Sequence, residues 1–184
     1  MKYFIWSFIY FAIGCTSGSK DKEQPDLSHL ANNKALINIT INDKDFYKEL
    51  NVFDCKVNFS PNNFRINLLN EKNGNVIINL DKENWFKTHT NQYIKKGMTE
   101  FSETGHLELL VGKLLDNGGA EGYFFSNGTL EFLQLSKNLI AIEINGNLIK
   151  PGEAEIKENY KPIQGFVYIK SPEIQSDGFD LNLL

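Results

Sequence analysis

From residue 34 onward, apolar and polar side chains alternate almost one for one. Ile37, Ile39 and Ile41 are spaced by Asn38 and Thr40. Phe53, Cys55, Val57 and Phe59 are spaced by Asp54, Lys56 and Asn58, and Phe64, Ile66 and Leu68 by Arg65 and Asn67. The same beat returns at 76–80, 107–111, 123–125, 130–132, 140–144 and 163–169. A strand turns successive side chains to opposite faces, so this period marks strands with one buried face. About nine strands follow. Between them stand Asn73-Gly74, Asp116-Asn-Gly-Gly119, Ser126-Asn-Gly128 and Asn145-Gly146. Asn and Gly tolerate the positive φ of tight hairpins, so these read as turns.

One-sided burial argues against a parallel sheet, whose strands are covered on both faces and read as unbroken apolar runs. The expected fold is all-β, an antiparallel β-sandwich over residues 34–184. A lipocalin-like closed β-barrel is the alternative, since alternation does not distinguish the two. Loops of unequal length favour the sandwich.

The segment 81–104 breaks the alternation. Lys95-Lys96-Gly97 has the cations and glycine of a helix C-terminus, which predicts a short helix from about Asn84 to Lys96. Trp85, Phe86, His89 and Tyr93 interleave there with lysines. Rigid rings beside polar donors suit a sugar or a peptide, so these four are the candidate ligand-binding residues. The competing reading is that Trp85 and Phe86 plug one end of the fold.

The first residues follow a different logic. One lysine, Lys2, precedes a dozen mostly apolar residues, too few to span a bilayer as a helix. Small residues and Cys15 then close the run, and a polar stretch, Thr16-Ser-Gly-Ser-Lys-Asp-Lys-Glu-Gln24, follows. This is the layout of a secretory signal. Ala12-Ile13-Gly14-Cys15 resembles the lipobox of bacterial lipoproteins, departing from it in Ala12 where that family prefers Leu. The resemblance implies a diacylglycerol on the Cys15 sulfur and cleavage after Gly14. It divides the chain into a signal peptide (1–14), a lipidated cysteine with a flexible tether (15–33) and the β domain (34–184). Thr16 after the cysteine resembles outer-membrane destinations, and the Lys20-Asp-Lys-Glu23 cluster is similar to tether signals of surface-exposed lipoproteins in Bacteroidota-like bacteria. Ala12 and Gly14 also satisfy ordinary signal cleavage, which would give a secreted or periplasmic soluble protein.

Net charge is −4 with both signs interspersed, so no basic stripe invites nucleic acid. Cys55 falls on the inward phase of its strand and reads as a small hydrophobe. His29, His89 and His106 lack zinc-ligand spacing. Glu108, Glu131 and Glu143 occupy outward phases and read as a solvated face. No nucleophile elbow, phosphate loop or calcium loop is present in the sequence. The expectation is a non-enzymatic envelope lipoprotein without a cofactor. Its partners would be the membrane, through its lipid anchor, and an envelope protein complex or a glycan. A carrier of a small apolar ligand and an unrecognised hydrolase are the alternatives.

Overall fold

The structure is a computed structural model that describes residues 25–48, 51–85, 92–97, 105–153 and 156–184. Its strands are β1 (Lys34–Ile41), β2 (Lys44–Asp45), β3 (Val52–Phe59), β4 (Asn63–Leu69), β5 (Asn75–Asp81), β6 (Gln92–Lys95), β7 (His106–Leu114), β8 (Ala120–Leu135), β9 (Leu139–Ile149), β10 (Lys161–Lys170) and β11 (Ile174–Ser176). All belong to one sheet. Two 3₁₀ turns, Lys157–Asn159 and Leu181–Leu183, are the helical content among the described residues.

The all-β expectation holds, and the sheet closes on itself. β1, β3, β4, β5, β7, β8, β9 and β10 each pair antiparallel with the next, and β10 returns to β1. This is an up-and-down barrel, the alternative expectation, rather than two separate layers. Alternation reports which face is buried, and both architectures bury one face per strand. Two of the expected strands, 123–125 and 130–132, are halves of β8. The expected helix ends instead in β6, where Tyr93 and Lys95 point inward.

The ring bends where the sequence suggested hairpins. Ser126-Asn-Gly128 lies inside β8 and Asn145-Gly146 inside β9, with Gly128 opposite Gly146. β8 carries register shifts between Phe125 and Asn127 and between Phe132 and Gln134. Bulges and glycines let long strands curl enough to close a barrel.

At two places the wall changes partner. β3 pairs β1 only through residues 52–54, and its far end is covered by β11 running parallel to 57–59. β8 pairs β7 over 120–124, then β6 over 128–131.

Aromatic side chains close both ends. At one end Phe59, Phe64, Trp85 and Phe179 cluster, with Trp85 stacked on Phe179 at 5.7 Å. At the other, Tyr47 sits between Phe46 (4.8 Å) and Phe53 (4.9 Å). An eight-stranded barrel is just wide enough for side chains to fill or for one small ligand. Here Phe53, Phe59, Phe64, Ile66, Leu68, Ile78 and Phe125 are among the large side chains packed inside.

The expected tether (15–33) is described only from Pro25. From Leu27 it lies on the outer wall, where Leu27 packs against Leu139, Ala141 and Tyr168 and its carbonyl accepts from Lys170 Nζ at 2.9 Å.

Candidate functional site

The site is built where β8 leaves β7. Residues 106–109 of β7 have no β8 partner along that edge, and β6 lies across the opening. Strand alternation in β6 sends Tyr93 and Lys95 inward, and Lys95 is 8% exposed. Its ammonium donates to the Leu107 carbonyl at 3.0 Å, supplying a bond that a full β8 neighbour would otherwise make. Burial lowers the Lys95 pKa, and the Glu108 carboxylate pulls it partly back. A buried cation held by one carbonyl is an expensive feature for a strand.

A cleft of about 380 Å³ lies at the Tyr47 end of the barrel, and two others meet on the outer wall over Ile77. One, of about 660 Å³, runs along β3, β4 and β5 beside Glu173 and Gln175. The other, of about 350 Å³, lies at the opening and takes in Lys95, Arg65, His106 and Glu108. Its floor is apolar. Ile77, Leu110 and Phe124 stand directly opposite one another on β5, β7 and β8, and Phe124 is 37% exposed. An apolar recess with a few converging polar groups and a titratable group shifted by burial is the usual form of a ligand site.

The polar side of the cleft is ordered by the sheet register. Arg65, Asn79 and Glu108 form one row across β4, β5 and β7, and Asn63, Asp81 and His106 form the next. Asn63 Nδ2 donates to Asn79 Oδ1 at 2.8 Å, and Asn79 Nδ2 to Asp81 Oδ2 at 2.8 Å and Glu108 Oε2 at 3.5 Å. His106 Nε2 lies 3.1 Å from Glu108 Oε1. Arg65, the chain's single arginine, bonds Asn67 Oδ1 through Nε at 3.3 Å.

The residues singled out from the sequence fall elsewhere. Trp85 and Tyr93 are each 1% exposed, so neither ring offers a face to a ligand. Trp85 Nε1 donates to the Ser60 carbonyl at 2.9 Å, and Tyr93 packs edge-on against Phe132 at 5.7 Å. They are core residues at one barrel end, so the ligand-platform expectation is corrected for both. The reason is apolar area: a ring that can reach the core gains more there than at the surface. Phe86, His89 and Cys15 lie outside the described residues. Cys55 points inward, and burial pushes its thiol up to about 12, with Asp54 adding to the shift. Such a thiol carries no thiolate at neutral pH. Glu108 is the one carboxylate in the smaller cleft's lining, whereas paired-carboxylate hydrolysis needs two. Glu131 and Glu143 stand opposite each other on β8 and β9.

Lys95 and Arg65 carry the site, and sequence reasoning passed over both. Lys95 falls in the segment without alternation, so it stands out only once β6 is seen to fill the edge that β8 leaves. No protein-family profile, no curated protein and no solved structure matches this chain.

Proposed function

We propose that this protein is a lipoprotein of the bacterial cell envelope, lipid-anchored in the outer membrane, whose barrel is a non-enzymatic binding module. The observation that carries the binding half is the contrast between inside and outside. Aromatic side chains plug both ends and large side chains pack the interior, while polar groups converge on a cleft in the wall. This arrangement favours recognition on the outer surface over carriage of an apolar molecule within. The anchoring half rests on Ile13-Gly14-Cys15 and the polar stretch after it. Two or three acyl chains on Cys15 would hold the protein firmly, since one chain alone gives only reversible attachment. The polar stretch after Cys15 would join the anchor to the barrel, whose outer wall Leu27 packs against.

The test is fractionation of the native host's envelope. Cys15→Ala should move the protein from membranes to the soluble fraction, and mass spectrometry of the wild-type N-terminus should find acyl chains on Cys15. Continued sedimentation of Cys15→Ala with membranes would remove the anchor from this reading.

A further inference from the structure

Lys95 is the one charged side chain that is buried among the described residues. Its ammonium has three N–H donors, and the Leu107 carbonyl takes one. The other two have no acceptor among the described residues. Arg65 lines the same cleft and uses only Nε, on Asn67. Two cations with unused donors thus border a recess whose floor is Ile77, Leu110 and Phe124. The acid in that recess, Glu108, is engaged with His106 and Asn79.

We propose that this cleft binds a small amphiphilic carboxylate. The head group lies between Lys95 and Arg65, and the apolar body lies along Ile77, Leu110 and Phe124. A carboxylate has two acceptor oxygens and offers them to an ammonium and to a guanidinium fork together. A neutral amphiphile would leave both cations unanswered. A cationic one would meet like charge in a partly desolvated place. Size follows from volume. At about 30 Å³ per small group, roughly the share of one water in the liquid, 350 Å³ takes about ten non-hydrogen atoms. Octanoate has that size. The proposal rests on reading the barrel as a surface binding module and names the ligand class of its cleft.

The experiment is calorimetric titration of the purified protein with octanoate, repeated with 1-octanol and octylamine. Octanoate should bind with a Kd of about 1 mM, the range open to a ligand this small. The alcohol and the amine should each be at least tenfold weaker. Arg65→Gln and Lys95→Met should each weaken octanoate at least fivefold and leave 1-octanol unchanged. If Lys95→Met does not fold, Arg65→Gln decides, because that side chain is exposed on the wall and its loss leaves the core intact. Octanoate binding no tighter than 1-octanol, or at full affinity in Arg65→Gln, overturns the proposal. Either outcome leaves Cys15-dependent attachment standing, and loss of that attachment leaves the titration standing.

Discussion

At the scale of single residues, Tyr47 shows how one hydroxyl finishes a barrel end. Its ring packs between Phe46 and Phe53, and its hydroxyl lies 2.7 Å from the Asn75 carbonyl and 3.1 Å from that of Gly112. Asn75 and Gly112 are register partners at the start of β5, so one hydroxyl lies beside both carbonyls of that pair. Tyr47→Phe keeps the ring contacts and removes the hydroxyl from both carbonyls. The expected loss is about 1–2 kcal/mol, which lowers the calorimetric Tm by about 3–6 °C in a domain of this size. An unchanged Tm would mean that water replaces the hydroxyl without loss. Nothing in the local pattern marks Tyr47, because 46–48 lies outside any alternation and its partners are far along the chain. Lys95 was hidden differently. Two lysines before a glycine suit a helix end, and the same residues suit a strand with one lysine turned in. Local spacing cannot choose between them, because the choice depends on whether β8 leaves an edge for β6 to fill.

At the scale of elements, the strands were legible and the bends were not. Each barrel strand coincides with a run of alternation, since burial of one face dictates that run. Ser126-Asn-Gly128 and Asn145-Gly146 misled because positive φ and missing Cβ atoms serve a kink as well as a turn. Gly128 has φ +136° and lies inside β8, facing Gly146. Gly165 of β10 makes the same kind of approach to β1: a Cβ there would land on the Asn38 carbonyl oxygen and lie 2.7 Å from the Ile39 Cα. Both obstacles are backbone atoms of a paired strand, which cannot swing aside as a side chain can. Gly165→Ala should therefore destabilise the protein by at least about 3 kcal/mol, the range of severe steric changes. Gly118, in the β7–β8 turn, has φ +81°, and a Cβ there would meet nothing within 4 Å. Gly118→Ala meets only left-handed strain of about 1–2 kcal/mol. Urea denaturation of the two variants should show this order, and equal losses would remove close strand approach as the reason for glycine at 165.

At the scale of the whole molecule, closure decides what pH does. Whether first and last strands meet depends on cumulative twist and bend, so no single run of sequence reveals it. Once they meet, ionisable groups on inward phases are sealed in. Burial pushes Cys55 and Tyr93 each up to about 12, from 9.0 and 10.0. It also raises Tyr47 and Tyr123, with Glu121 adding to the shift at Tyr123. In each case the folded protein binds more protons than the unfolded chain once pH passes the unfolded pKa, so stability falls as pH rises from there toward the folded value. Lys95 has the opposite sign. Its folded pKa is lowered, so between that value and 10.5 the unfolded chain binds more protons and rising pH favours the fold. Burial on the outer wall raises Tyr168 as well, with Glu143 adding to the shift, so five groups oppose one. The thermal midpoint should fall by about 5–10 °C between pH 8 and pH 11, after partial solvent screening is allowed for. The decline should begin near pH 9, where the Cys55 thiol of the unfolded chain starts to ionise. Cys55→Ala removes that first contribution, so its own decline should start about one pH unit higher, with the tyrosines. Scanning calorimetry of both proteins from pH 7 to pH 11 measures the two onsets. A wild-type curve flat to pH 11, or identical onsets, would mean that water reaches these groups and that the barrel is not sealed.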